Sequence, residues 1–322
     1  MLVLGIVLGA LVLLWLLINL PRRRSDGELV TRIHPYRKML PFIMVGRNES
    51  VVYFDDYVKA DALLDYMQRV RKHYHVDVTH CLVAAGAVGL RANPRMNQYI
   101  VGRRLYARNH VALTFSAKRK KMDKEAKLAA VKLHIADDES FETICHRINK
   151  KLGIERSEAK TYTDKELGIM TRLPRPLLRA AIAFVRWADY HSLLPSGFIK
   201  NDGFYTSIFI ANLGSVGMRA GYHHLYEYGT CPLFMMVGKI EDRPMVVDGK
   251  VVPVKTLHIR WSYDERIDDG LTSSYGMASV RNALENPDEV FGAVDLPAEE
   301  PAAQEPAGEE PAGEEPAADQ PA

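Results

Sequence analysis

The sequence predicts an α/β body set between two compositionally unlike ends. Three observations predict it. Short β-branched and aromatic runs such as Val51 to Val58 alternate with segments whose apolar residues recur at helical spacing. An Asp248-Gly249 pair flanked by apolar residues marks an antiparallel hairpin. The first twenty residues carry no ionisable side chain, whereas residues 297–322 carry eight acids and no base.

The chain begins with an apolar run, Met1 to Leu20, broken only by Asn19. Twenty helical residues rise about 30 Å, the thickness of a bilayer core. A cleaved signal peptide would need positive charge before the run and a small-residue cleavage site after it. Here side-chain charge comes only afterwards, at Arg22, Arg23 and Arg24. The expectation is a transmembrane anchor over 1–21 and a basic linker over 22–32. By the positive-inside rule this gives a single-pass protein of the cell membrane with its body on the cytoplasmic side. Cys81, Cys145 and Cys231 are sparse and form no CxxC, which argues against a disulfide framework and against a metal site.

The body is expected over 33–296. Residues 51–58 read as a strand and 60–72 as a helix, with Leu63, Leu64, Met67 and Val70 on one face. Thr79 is the expected cap of a helix from His80 to Ala92, which Asn93-Pro94 ends. Residues 99–106 read as a hairpin turning at Gly102-Arg103, and 111–117 and 128–135 as strands. A helix over 139–152 follows. Residues 177–188, LLRAAIAFVRWA, form a very apolar helix after two prolines, with Arg179 and Arg186 on a shared face. It is either a core or subunit-contact helix or one lying on a membrane surface. Strands are expected over 204–211, 233–239 and 256–263, and a closing helix over 271–285, before Pro287. The tail, 297–322, has no large apolar residue and a proline at every fifth position from Pro301, so it is expected to be disordered.

Composition narrows the function. The 322 residues are 47% hydrophobic and 25% charged, which excludes collagen-like, wholly disordered and polytopic membrane chains. The net charge of +2 hides an uneven split. Setting the eight tail acids aside leaves 42 basic residues against 32 acidic ones. No GxGxxG, Walker, CxxC or HExxH motif occurs, and nothing indicates a nucleic-acid partner.

Residues 264–270 read Asp-Glu-Arg-Ile-Asp-Asp-Gly. This resembles the Asp-His-Arg-x-x-Asp-Gly strand end of the 2-oxoacid dehydrogenase acyltransferases and of chloramphenicol acetyltransferase, with Glu265 in place of the histidine. Residues 209–214, Phe-Ile-Ala-Asn-Leu-Gly, resemble the family's Ser-Asn-Leu-Gly strand end. Residues 237–249 look like the hairpin before its catalytic strand, Asn93-Pro94 with Asn97 like a helix end, and Pro35 to Met39 like its opening segment. The resemblance covers about residues 33–291 in the family's order. It implies a chloramphenicol acetyltransferase-like mixed sheet with packed helices, a homotrimer with its sites between subunits, and acyl-coenzyme A as substrate. No lipoyl group is expected on this chain. Thr163-Asp164-Lys165 lacks the flanking strands of a lipoyl site, and residues 118–127 replace a Gly-rich segment of the family. Residues 160–200 look longer than the family's equivalent.

The reaction that the resemblance implies passes an acyl group from the thiol of coenzyme A to a second acceptor. A base deprotonates the acceptor and a donor stabilises the tetrahedral oxyanion. Glu265 stands where the family has its histidine base, and Ala211 near its hydroxyl donor. An ordinary glutamate lies about two pKa units below an ordinary histidine, so proton transfer to it is harder by roughly 3 kcal/mol. His223 and His224 are candidate partners for Glu265, or surface or structural histidines. Ser207, Ser215 and the backbone near Gly214 are candidate oxyanion donors. By resemblance, Asp269 pairs with Arg37 to hold the catalytic loop, Gly270 permits the tight exit from strand to helix, and Asn212 belongs to the neighbouring turn. Two functions remain open. One is a membrane-anchored acyltransferase with a modified site. The other is a non-catalytic relative that binds or scaffolds at the membrane.

Overall fold

A computed structural model describes residues 2–20, 23–118, 128–156 and 172–294. The expected disordered tail, the lipoyl-like Thr163 to Lys165 and the basic run after Lys118 lie outside the described residues. Helix α1 (Leu2–Asn19) is followed by a short strand, β1 (Gly27–Leu29), and α2 (Pro35–Ile43). Next come β2 (Val51–Lys59), α3 (Asp61–Val70), α4 (Val78–Ala92), the hairpin β3 (Gln98–Val101) and β4 (Arg104–Arg108), β5 (Val111–Lys118) and β6 (Leu128–Ile135). Then come α5 (Phe141–Arg156), α6 (Arg175–Tyr190), α7 (Ser196–Asn201), β7 (Ile208–Asn212), β8 (Leu233–Val247), β9 (Lys250–Asp264), α8 (Gly270–Glu285) and α9 (Pro287–Phe291).

The main sheet has the order β2-β9-β8-β7-β5-β6. Strand β7 pairs parallel with both β5 and β8, and the other neighbours are antiparallel, so the sheet is mixed as expected. A smaller sheet has the order β1-β4-β3. Alternation in β7 and β8 sends Ile208, Ile210, Leu233 and Met235 into the main core with α3, α4, α5 and α8. Phe209, Phe234 and Met236 go to the other face, beside Leu225 and Cys231.

The hairpin expected over 245–253 at Asp248-Gly249 is present, and residues 240–257 join it to the strands expected over 233–239 and 256–263, so that β8 and β9 each run fifteen residues. Asp248 and Gly249 both take positive φ at its tip, 50° and 76°, as a tight two-residue turn requires. Strand β7 starts at Ile208, later than expected, because Thr206 and Ser207 are spent on bonds to Ala112. The cap of α4 is Asp77 rather than Thr79. Its carboxylate accepts from the Thr79 and His80 amides, which begins the helix two residues earlier.

Two expectations about the N-terminus change. Among the described residues, no helix is long and apolar enough to cross a membrane. Eighteen residues of α1 rise about 27 Å, short of a ~30 Å core, so a transmembrane anchor over 1–21 is unsupported by this length. The segment expected as a basic linker also joins the fold. Arg24 and Asp26 are buried, and Asp26 accepts from Arg24 Nε at 3.1 Å and Arg108 Nη1 at 3.2 Å. Burial opposes the charge on Arg24, but Asp26 and Asp189 hold its pKa above the ordinary value. Arg24 is therefore a structural cation and does not face lipid.

Candidate active site

Strand β9 delivers the site. Its last residue, Asp264, is buried, and the chain turns through residues 265–268 before Asp269 begins α8. Arg266 grips Asp264 through two bonds, Nε to Oδ1 at 2.9 Å and Nη2 to Oδ2 at 2.8 Å. Ser50 Oγ also donates to Asp264 Oδ1, at 2.9 Å. The other arm of Arg266 donates to the carbonyls of Met44, at 3.1 Å, and Val45, at 2.9 Å, which ties the turn to the end of α2.

Residues 264 and 266 point inward, so 265 points out. The Glu265 amide donates to Ser50 O at 3.0 Å, which fixes its backbone. Its carboxylate is exposed and has no hydrogen bond or ion pair among the described residues. A buried, bidentate clamp thus presents one unpaired carboxylate, at the position where the resemblance implies a histidine.

The structural ion pair falls one residue earlier than expected. Arg37 bonds Asp268, not Asp269. Arg95 reaches the same carboxylate, with Nη2 at 2.6 Å from Oδ1. Asp268 is fully buried, its neighbours Arg266 and Ile267 are buried too, and the chain re-emerges only at Asp269. Asp269 is exposed and caps α8, accepting from the Thr272 amide at 3.0 Å. That bond holds its carboxyl below the ordinary range. Gly270 has no steric reason to be glycine in this protomer. A Cβ there would meet open space, and its φ is not in the left-handed region.

The expected oxyanion donors divide. Ser207 is fully buried, and its Oγ accepts from the Ala112 amide at 3.1 Å, so it is a structural residue of the strand entry and not a donor to a site. Ser215 is exposed in the single-turn helix after β7, where its Oγ donates to Asn212 O at 2.7 Å. Asn212 caps that turn through Oδ1 and donates from Nδ2 to Thr79 Oγ1 at 3.2 Å. Gly214 has a physical requirement, since a Cβ would stand 2.4 Å from the Gly238 carbonyl.

His223 and His224 do not meet Glu265. His223 stacks on Phe234 with ring centroids 4.0 Å apart, and its Nδ1 donates to the His224 carbonyl at 2.6 Å. Burial lowers its pKa, so the ring is a neutral, half-buried packing element. His224 Nδ1 donates to Leu225 O at 3.0 Å. The pair covers the small aromatic cluster on the back of β7 and β8.

Beside the turn lies a cleft of about 240 Å³, lined among others by Arg47, Arg103, Arg186, Asp189, Glu227 and Arg266. Asp189 is engaged by Arg24, and Glu227 accepts from the Asn48 amide at 3.0 Å. Arg103 and Arg186 carry no ion pair among the described residues, so the cleft has cationic capacity for an anionic group. No cluster of metal-ligating side chains occurs among the described residues. Sequence reasoning missed Arg95, Ser50 and Arg47 around the turn. The signal for the clamp was present in the Asp264-x-Arg266 spacing, which puts both charges on one side of an extended chain.

Comparison with known proteins agrees with this geometry. Residues 200–292, which hold β7 to α8, match the family of 2-oxoacid dehydrogenases acyltransferase (catalytic domain). This part of the chain is similar to that catalytic domain. It is 38% identical over 55 residues to the lipoamide acyltransferase component of the branched-chain alpha-keto acid dehydrogenase complex of Pseudomonas aeruginosa. That match spans 17% of this chain and only 13% of the relative's length. The fold is shared more widely. The cubic core of the pyruvate dehydrogenase multienzyme complex superposes with a TM-score of 0.53 at 16% identity, over 84% of this chain and 99% of that one. A probable dihydrolipoamide acetyltransferase from Listeria monocytogenes 4b F2365 gives 0.52 at 16% identity, over 80% and 95%. The likeness of fold therefore reaches across the body, whereas the family match is confined to residues 200–292.

Proposed function

We propose that the protein is a membrane-attached acyltransferase that uses acyl-coenzyme A, with Glu265 in the role of the family's histidine. The observation that carries this reading is the unpaired Glu265 carboxylate, aimed outward by the buried Asp264–Arg266 clamp. Glu265 takes the proton of an acceptor thiol or hydroxyl. The acceptor then attacks the acyl carbonyl, and the tetrahedral intermediate expels the coenzyme A thiolate, which recovers the proton from the Glu265 carboxyl. Arg103 in the neighbouring cleft fits a phosphate of coenzyme A, since no carboxylate holds it.

The site is completed in a homotrimer. Leu271 and Tyr275, on the first turns of α8 beside Glu265, are 64% and 60% exposed, an apolar surface suited to a neighbouring subunit. Attachment to the membrane is by α1, which is apolar on every side and therefore suits insertion rather than lying in the interface. A helix slightly short of the hydrocarbon thickness is accommodated by local thinning. Arg22 and Arg23 at its end favour the cytoplasmic side for the body.

The second reading, a non-catalytic binding protein, is favoured by the commitment of Ser207 and by both histidines facing elsewhere. One assay separates the two. Purified full-length protein is expected to cleave or exchange acyl-coenzyme A thioesters, and Glu265→Gln to lower the rate at least about tenfold. Saturable acyl-coenzyme A binding without turnover would give the site to the second reading.

A further inference from the structure

Helix α6 is poorly housed by the rest of the chain. Of its sixteen residues, only Ala188 is buried. Leu177, Phe184 and Trp187 are 56%, 64% and 44% exposed and follow one another at helical spacing along one stripe. Phe184 and Trp187 stack on each other, with centroids 5.9 Å apart. Arg175, Arg179 and Arg186 are exposed along the same helix, and its sole acid, Asp189, is turned away to bond Arg24. The exposed arc of α6 thus carries the apolar, aromatic stripe along one edge and the arginines along the other, with no exposed acid, which suits a helix that lies on an anionic membrane surface.

Its position in the molecule agrees. Arg24 Nη1 donates to Asp189 Oδ1 at 3.0 Å and to the Asp189 carbonyl at 3.3 Å. Arg24 follows the end of α1, Asn19, by five residues, which span at most about 18 Å. The Arg24 side chain adds its own length, and the C-terminal end of α6 is thereby tethered close to the helix that enters the bilayer. We propose that α6 docks its Leu177–Phe184–Trp187 stripe into the headgroup layer of an anionic bilayer, so that the body sits against the membrane instead of swinging from α1. This rests on the membrane attachment proposed for α1.

A polarity-sensitive thiol dye at Phe184→Cys in the full-length protein tests this, since Cys81, Cys145 and Cys231 are all buried. The probes are vesicles of neutral phosphatidylcholine and vesicles about one-third phosphatidylglycerol, with and without brominated acyl chains. The dye should shift to the blue and be quenched by bromine on the anionic vesicles. Replacement of Arg175, Arg179 and Arg186 by glutamine should lower its buried-to-exposed ratio about a hundredfold, at roughly fivefold for each charge lost. Flotation with neutral vesicles reports α1 separately. Protein that does not float removes the anchor, and the dye on anionic vesicles still decides α6. A dye that stays water-exposed there overturns the proposal. So does a dye equally shielded without lipid in protein that cross-links into dimers or larger species, which would give the face to a second copy.

Discussion

Asp268 and Asp269 are neighbours with opposite duties. The buried Asp268 receives Arg37 and Arg95, and the exposed Asp269 caps a helix. Removing one member of a buried ion pair costs about 3–5 kcal/mol, but Arg95 keeps 60% of its side chain in solvent and can rehydrate. Asp268→Asn should therefore lower stability by about 2–3 kcal/mol. Asp269→Asn should change it by less than about 0.5 kcal/mol, because asparagine caps as well as aspartate. Urea melts of the two variants check this, and equal losses would contradict the assignment. The sequence pattern located the turn and Arg37 correctly but chose the wrong acid. A consecutive Asp-Asp leaves the backbone path through the turn to decide which acid is buried, and spacing does not give that path. Ser207 shows the same limit. Its type and position suit an oxyanion donor, yet burial and a backbone bond commit it to the strand entry.

Among elements, the strongly periodic ones were legible. Strand β2, helix α3 and the β5–β6 pair stand within a few residues of expectation, because one apolar face against one core leaves few alternatives. The hairpin at Asp248-Gly249 was legible from its turn pair, but its continuity with the core strands was not, since the arms over 241–255 lie outside the core and only alternate between half-buried and exposed. The two glycines of the site region also separate. Gly214→Ala would drive a methyl against the Gly238 carbonyl, 2.4 Å from the added carbon, and should cost about 1–3 kcal/mol. Gly270→Ala occupies open space at the start of a helix and should stabilise by about 0.5 kcal/mol. Thermal melts of both give the comparison. A large loss in Gly270→Ala would mean that a neighbouring subunit presses on that position. Helix α6 was readable as a helix but not as a face, because composition alone does not say which surface covers an amphipathic segment.

At the scale of the whole molecule, charge is built into the interior. Arg24, Asp26 and Arg108 join the N-terminal segment, the small sheet and the end of α6. Lys132 is buried nearby, with Nζ donating to Ile199 O at 2.7 Å and Asp202 O at 3.1 Å. Burial, reinforced by the charge of Arg108, lowers its pKa from 10.5 to about 7. The unfolded chain keeps this proton up to about 10.5 while the folded one releases it near 7, so unfolding between those values takes up a proton. The penalty from Lys132 is full below about 7 and fades as pH rises toward 10.5, which makes stability climb across that window. Lys132→Met should remove this climb. Urea melts of both proteins across that window measure it, and parallel curves would contradict it.

The body shares the fold of the acyltransferase cores, and the proposed function turns on one side chain, Glu265. The most direct measurement is the rate of acyl exchange from acyl-coenzyme A by full-length protein carrying glutamate, glutamine or histidine at position 265. A carboxylate base predicts that Glu265→Gln falls at least about tenfold, and that Glu265→His exceeds the parent, since a histidine lies about two pKa units nearer a thiol. Equal rates for glutamate and glutamine would contradict the claim and remove Glu265 from the chemistry.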